Sequence, residues 1–167
     1  KIRDRWAKKA FLAMDVFDFL QHSFQSGRTD RQPSRESFYH IIQCWTMCGN
    51  SNLALHWFDR MVDEYRSGNK SAAPTLQELN KALEALAMSG GSHSADRAET
   101  VFKSVVSLKT FGVRLEPDMQ SFRFVLSYLS KLGNSDSAER AERLFRNMKR
   151  YELDKDKDCC ASVITSW

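Results

Sequence analysis

Glycine and proline are scarce in this sequence, with seven and three residues among 167. A turn-rich all-β fold needs more of both, whereas frequent Leu, Ala, Arg, Lys and Glu favour helices. The apolar runs are short and interrupted, so no segment is predicted to cross a bilayer. No targeting peptide is visible, and because the chain opens at Lys1 without a methionine, we expect it to be a mature or trimmed piece.

Cysteine is also rare, and its positions 44, 48, 159 and 160 match no disulfide-rich secreted scaffold, so a reducing compartment is expected. His40, Cys44 and Cys48 follow at i, i+4 and i+8 on one face of a predicted helix. Soft metals take such ligands, but three that climb one helix do not close a tetrahedron. Packing is the preferred interpretation, and no metal site is predicted. Cys159 and Cys160 have no histidine nearby in sequence, and we read them as inert thiols.

The sequence has no recognisable catalytic motif. His22, His56 and His93 show no spacing that suggests a triad. The Gly90-Gly91 pair lacks the lysine that follows a phosphate-cradling loop. We therefore expect a protein that is not an enzyme, with no catalytic residue, no cofactor and no small-molecule substrate.

Positive charge is concentrated at the start of the chain. Residues 1–35 hold eight basic and four acidic side chains, whereas residues 36–167 hold 17 of each. A basic footprint for nucleic acid is thus confined to the first segment. A solvated basic end without a partner is the alternative interpretation.

An internal repeat organises the rest of the sequence. Pro33, Pro74 and Pro117 recur at spacings of 41 and 43, and each precedes an amphipathic stretch. The apolar residues of these stretches recur at i, i+3, i+4 and i+7, which predicts helices rather than strands. They are Phe38, Ile41, Ile42 and Trp45; Leu79, Ala82, Leu83 and Leu86; and Phe122, Val125, Leu126 and Leu129.

A second helix follows each of these first helices after a break. The breaks lie at 49–51, 89–92 and 133–135, and the second helices share a phenylalanine at 58, 102 and 145, with an earlier copy at 17. We expect these phenylalanines to lie in the core. Thr75 with Glu78 predicts a capping box, and Asp118 predicts an N-cap. Ser51, Ser94 and Ser135 are the predicted caps of the second helices.

These boundaries define three complete hairpins, 34–74, 75–117 and 118–156. A partial repeat with a basic start, 1–33, precedes them, and 157–167 forms the first helix of a truncated further repeat. Since one hairpin cannot bury its apolar face alone, each must stack on its neighbours. The predicted fold is all-α, a right-handed α-solenoid with the first helices lining an inner groove.

The hairpins resemble pentatricopeptide repeats. The resemblance lies in the Pro117-Asp118 step before a first helix and in the stretch 138–148, Ala-Glu-Arg-Ala-Glu-Arg-Leu-Phe-Arg-Asn-Met. Residues 63–69 and 94–99 resemble the long-repeat variety common in algae. The family implies that single-stranded RNA is read at one base per repeat in mitochondria or plastids. Tetratricopeptide-like repeats, which bind proteins, share the same hairpin and are the main alternative.

The resemblance also implies base-reading positions. In the family, a residue inside the first helix and the last residue of the repeat read the base together. The matching pairs are Tyr39 with Thr75, Asn80 with Asp118, and Arg123 with Asp156. Asn80 with Asp118 is the combination that the family uses for uracil, since a carboxamide can donate to and accept from a base edge while a carboxylate orients it. The other two pairs depart from the family's choices.

Other family positions have also changed. The positions that sandwich bases are aliphatic in the family and polar here, namely Glu36, Gln77, Gln120 and Asp158. Base stacking, about 1–3 kcal/mol per base, is thereby weakened. The lysine often aimed at phosphate occurs only as Lys131, with Met47 and Met88 in its place elsewhere.

A basic stripe on the last complete second helix is a further candidate for backbone contacts. It comprises Arg143, Arg146 and Arg150 at helical spacing, with Lys149, and indicates contact with an acidic partner or structural RNA on the convex side. A solvated outer face that pairs with Glu139 and Glu142 is the alternative. Two functions therefore stay open: an RNA-binding module, or a protein-binding scaffold within a large organellar protein or ribonucleoprotein assembly.

Overall fold

A computed structural model describes residues 2–89, 94–108, 112, 113, 115–148 and 157–167. Within these ranges the chain is helical and contains no strand, which confirms the predicted all-α class. A short 3-10 helix, Lys70–Ala72, accompanies the α-helices. The α-helices are α1 Ile2–Gln25, α2 Arg35–Cys48, α3 Ser51–Arg66, α4 Leu76–Met88, α5 Ser94–Ser107, α6 Met119–Leu132, α7 Ser135–Met148 and α8 Lys157–Thr165.

The first helices α2, α4 and α6 begin two residues after the repeated prolines. At α4 the predicted capping box is present: the carboxylate of Glu78 accepts from the backbone N–H of Thr75 at 2.9 Å and from its hydroxyl at 2.6 Å. At α6 the predicted N-cap Asp118 accepts from the backbone N–H of Ser121 at 2.9 Å. These bonds satisfy backbone donors that a helix start leaves unpaired.

The predicted caps of the second helices are wrong by one residue. Ser51 and Ser135 are the first residues of α3 and α7 rather than their caps. Asn50 caps α3 through its side-chain oxygen, which accepts from Leu53 N–H at 3.1 Å, and Asn134 accepts from the backbone N–H of Ser137 at 2.8 Å. The reason is the preceding glycine, which ends the first helix with a positive φ and leaves the asparagine in the cap position. The residue before Ser94 lies outside the described residues.

The core is built from the apolar faces that the repeat pattern predicts. All twelve periodic residues of α2, α4 and α6 are buried. Phe17 and Phe58 are buried as well, and Phe102 and Phe145 are partly buried against the same core. The ring of Phe17 lies edge-on to the rings of Phe38 and Trp57, with centroids 4.8 and 5.0 Å apart. Aromatic packing therefore joins α1, α2 and α3 in one core.

The helices contact one another in an ordered series. First helices touch the next first helix along the chain, from α2 to α4, α4 to α6 and α6 to α8. Each of α2, α4 and α6 also contacts the second helices on both sides of it in sequence. In the part of the chain that the structure describes, no helix has both the length and the hydropathy needed to span a membrane.

Candidate nucleic-acid interface

The polar pair that the repeat register singles out is in contact. The amide nitrogen of Asn80, inside α4, donates to the carboxylate of Asp118, with both oxygens at 3.2 Å. Asp118 stands at the start of α6, so this bond crosses from one first helix to the next. Both side chains are half-buried. The sequence hypothesis that the carboxylate orients the carboxamide therefore agrees with the geometry.

Ser121 completes this polar group, and sequence reasoning missed it. Its hydroxyl lies 2.6 Å from the amide oxygen of Asn80 and 3.0 Å from the carboxylate of Asp118. The donation to Asn80 fixes which end of the carboxamide is the acceptor. A carboxamide has two N–H groups and two acceptor lone pairs, so Asn80 keeps one donor and one acceptor beyond these bonds. Serine at the third position of a capped helix was the available signal.

The equivalent pair in the preceding repeat is built differently. Thr75 uses its hydroxyl within its own capping box, donating to Glu78 at 2.6 Å and accepting from the backbone N–H of Gln77 at 3.3 Å. Tyr39 is half-buried, and its ring centroid lies 5.8 Å from that of His40. The hydroxyl of Thr75 is thus committed to the helix start, and it does not orient Tyr39 as Asp118 orients Asn80.

The third candidate pair is Arg123 with Asp156, and Asp156 lies outside the described residues. The guanidinium of Arg123 donates to the carboxylate of Asp158 at 2.5 Å, two residues further along. Both side chains are exposed, with 47% and 75% of their surface accessible. Arg123 thereby joins α6 to α8. An exposed ion pair of this kind contributes little to stability, about 0–1 kcal/mol.

The positions that the family resemblance matches to base sandwiching are exposed as well as polar. Glu36, Gln77, Gln120 and Asp158 all lie on the surface of the first helices. A hydrogen bond from Ser34 and one from its own backbone N–H lower the pKa of Glu36 below its usual value. Its side chain is therefore held as a carboxylate, which neither stacks on a base nor attracts a phosphate.

Lys131, at the end of α6, forms a hydrogen bond with another helix of the same chain. Its ammonium group donates to the backbone carbonyl of Ala87 at 2.7 Å, near the C-terminal end of α4. A cation there satisfies a carbonyl without a helical partner and interacts favourably with the helix dipole. The side chain is exposed and has two further N–H groups, so it can still contact a phosphate.

The basic stripe of α7 faces acidic side chains. Arg146 donates to Glu142 at 2.5 Å, as the i,i+4 alternative predicts, and Arg143 lies 3.5 Å from Glu99 of α5. Arg150 lies outside the described residues. The charge that sequence reasoning missed is Arg140, which pairs with Asp96 at 2.5 Å and also with Asp136 at 2.7 Å. The hydrogen bond with Asp96 raises the pKa of the Arg140 guanidinium above its usual value.

The cysteine and histidine group on α2 fits packing. Cys44 is buried, Cys48 is partly buried and His40 is exposed, so the packing interpretation applies most fully to Cys44. Burial raises the pKa of both thiols, which keeps them protonated. Among the described residues, no three His, Cys, Asp or Glu side chains are placed to hold a metal ion.

Sequence reasoning missed the apolar surface of α1, although its spacing was visible in the sequence. Its exposed large hydrophobic side chains are Ile2, Phe11, Leu12, Val16 and Phe19. The signal was their spacing: four of these five follow a seven-residue repeat on one side of a helix whose other side packs against α2. Lys9 of the same helix lies over the ring of Trp6, 4.5 Å from its centroid.

Comparison with known proteins adds no relative. No model of a known protein family matches the chain, and no curated protein matches it.

Proposed function

We propose that this chain is a non-catalytic helical-repeat module that binds single-stranded RNA, and that Asn80 reads a uracil base. In this proposal the hairpins stack as a right-handed α-solenoid of the pentatricopeptide type. The ordered contacts from α2 through α4 and α6 to α8 support such a stack. The first helices then line the groove that RNA occupies.

The observation that carries the proposal is the bond from Asn80 to Asp118 at 3.2 Å. Asp118 and Ser121 occupy one donor and one acceptor of the carboxamide and fix its orientation. The remaining donor and acceptor match the edge of a pyrimidine, which offers adjacent groups of both kinds. Preorganisation of this kind lowers the entropy cost of binding a single base.

Cations on two other surfaces support contacts with the phosphate backbone of RNA. Lys131 keeps two donors after its bond to Ala87, and it lies on the first helix that follows Asn80's own. The basic residues of 1–35 extend positive charge beyond the repeats. Binding that relies on so few cations depends less steeply on salt than binding along a fully basic groove. From the family resemblance, we place the activity in a mitochondrion or plastid.

Ultraviolet crosslinking in an organelle extract tests this function. The chain is crosslinked, purified under denaturing conditions, and its attached RNA is sequenced. We expect uridine to be enriched at the crosslinked nucleotide, and the crosslinked peptide to include Asn80. Recovery of no RNA above the level of an unrelated helical protein contradicts the proposal.

A protein-binding scaffold within a larger organellar assembly is the second candidate. The ion pairs of Arg140, Arg143 and Arg146 favour it, because they neutralise the outer face that would otherwise attract nucleic acid. The exposed apolar side chains of α1 also favour it. Recovery of a fixed set of proteins without RNA, from the same extract under native conditions, supports this candidate over the first.

A further inference from the structure

Uracil and cytosine differ in the direction of two hydrogen bonds on the same edge of the ring. Uracil donates from its ring N–H and accepts at the neighbouring carbonyl oxygen, whereas cytosine accepts at the same ring nitrogen and donates from its amino group. A carboxamide that makes half a turn about its terminal bond exchanges its own donor and acceptor in the same way. A carboxamide that can turn therefore fits both bases, and one that is held fits only one of them.

Hydrogen-bond partners decide whether the carboxamide of Asn80 can turn. The terminal torsion of an asparagine side chain has a broad energy minimum, so the torsion itself does not hold the group in one orientation. A carboxylate only accepts, and it therefore selects the nitrogen end of a carboxamide, whereas a hydroxyl both donates and accepts. Asn80 has one partner of each kind, the carboxylate of Asp118 and the hydroxyl of Ser121.

Asp118 holds the nitrogen end of the carboxamide. Both of its carboxylate oxygens lie 3.2 Å from Nδ2 of Asn80, and the backbone N–H of Ser121 donates to the same carboxylate at 2.9 Å. If the carboxamide turned over, Oδ1 would face these oxygens, and two acceptors would meet without a proton between them. Asp118 therefore opposes the turned orientation.

Ser121 holds the oxygen end. Its hydroxyl oxygen accepts from the backbone N–H of Asp118 at 3.2 Å, so its own proton remains to be donated. Two acceptors lie within reach of that proton, Oδ1 of Asn80 at 2.6 Å and a carboxylate oxygen of Asp118 at 3.0 Å. The closer one belongs to Asn80. Ser121 thus supplies the donor that the oxygen end of the carboxamide requires.

The three side chains close a ring in which each contacts the other two. Two members of the ring are also fixed to the backbone, because Asp118 and Ser121 form the capping box at the start of α6. Turning Asn80 over therefore disturbs bonds that the helix start itself uses. The preceding repeat has Tyr39, Thr75 and Glu78 at the equivalent positions, and it has no carboxamide to hold.

Burial separates the roles of Asn80 and Ser121. Ser121 has no accessible surface, whereas Asn80 is half-buried. A base that binds beside α4 can contact the carboxamide but not the hydroxyl behind it. Any effect of Ser121 on RNA is therefore transmitted through Asn80.

We infer that Ser121 is a positioning residue that makes the chain select uracil against cytosine, because it helps to hold the carboxamide of Asn80 in a single orientation. This role rests on the proposed function, in which Asn80 contacts the base. Discrimination between the two pyrimidines then depends on a residue that never meets the RNA.

Binding of three short RNAs at constant salt tests the inference. An oligoadenylate carries one uridine, one cytidine or neither, and fluorescence anisotropy gives the Kd of each complex. We expect the unmodified chain to bind the uridine RNA more tightly than the other two. Ser121→Ala should lower the ratio of uridine to cytidine affinity by about two- to tenfold, as expected for the loss of one hydrogen bond. Its affinity for oligoadenylate should stay unchanged.

Ser37→Ala is the matched control, because Ser37 is the third residue of α2 as Ser121 is the third residue of α6. It should leave the ratio of uridine to cytidine affinity unchanged. Circular dichroism checks that both variants are folded.

The possible outcomes separate a failure of this role from a failure of the proposed function. An unchanged ratio in Ser121→Ala overturns the inference, as does an equal loss of affinity for all three RNAs, which indicates a merely structural role. The unmodified chain gives a test that needs no variant. If it binds the uridine and cytidine RNAs equally, and both more tightly than oligoadenylate, the selection by Ser121 is overturned while base reading by Asn80 stands. If it binds all three RNAs alike, the proposed function itself fails, and the role of Ser121 fails with it.

Discussion

The carboxylate of Asp118 both caps its own helix and holds the amide of Asn80, 3.2 Å away on the preceding first helix. One side chain thereby couples the start of α6 to the orientation of a carboxamide on α4. The same position in the preceding repeat is Thr75, whose hydroxyl serves only the cap of α4. The two hairpins therefore differ in how their equivalent polar side chains are bonded.

Removal of the capping box at Thr75 is expected to destabilise the chain. Thr75→Ala deletes the hydroxyl that Glu78 accepts from, and Glu78 is 1% exposed. We expect a loss of about 0.5–2 kcal/mol in the free energy of unfolding, measured by urea denaturation. Ser34→Ala is the matched control, because Ser34 holds the same position before α2 and bonds the exposed carboxylate of Glu36 rather than a backbone N–H of the helix start. An equal loss in both variants contradicts this account of the cap.

The core of α4 is expected to be sensitive to truncation. Leu83 is fully buried, and Leu83→Ala should cost about 2–5 kcal/mol because a cavity forms where the side chain was. Met88 lies on the same helix and is 54% exposed, so Met88→Ala should change stability by about 0.5 kcal/mol or less. Thermal denaturation of both variants distinguishes them. Similar shifts in the two would show that α4 does not pack as described.

Asp59 is expected to make stability depend on pH. Burial raises the pKa of this carboxyl above 3.8, against the smaller opposing effect of Arg97. A carboxyl group whose pKa is raised in the folded state destabilises the fold when it is ionised. This destabilisation is present at neutral pH, and it disappears as pH falls through the folded-state pKa towards 3.8. Asp59→Asn should therefore raise the melting temperature at pH 7, and this gain should shrink in acid.

The control for Asp59 is Asp15→Asn, at an exposed position of α1 that is not among the charges acting on Asp59. Its melting temperature is expected to stay close to that of the unmodified chain at both pH values. A stability gain for Asp59→Asn that is independent of pH would point to packing rather than to ionisation.

The sequence predicted the helices well because their apolar residues recur with the period of a helix. Positions such as Leu83 and Leu126 are buried as the pattern required. The caps at Ser51 and Ser135 were misplaced because serine and asparagine are both good caps and stand side by side. The conformation of the preceding glycine decides between them, and that is a property of the backbone rather than of composition.

The candidate site was predictable only in part. The family resemblance placed Asn80 opposite Asp118, and the two are in contact. The position of Ser121 in its helix start was visible in the sequence, but its contact with Asn80 depends on how α4 and α6 sit side by side. The same holds for Arg140, which reaches Asp96 on a neighbouring second helix 44 residues away in sequence.

The central claim, that Asn80 reads uracil, is tested most directly by binding short single-stranded RNAs that differ in one base, at constant salt. The unmodified chain should prefer uridine over adenosine or guanosine, and Asn80→Ala should reduce this preference by about 1–3 kcal/mol. Lys131→Met introduces the residue type found at positions 47 and 88. It should weaken binding equally, whichever base the RNA carries at the variable position. An Asn80→Ala variant that keeps the full uridine preference, or an unmodified chain that shows none, would contradict the account.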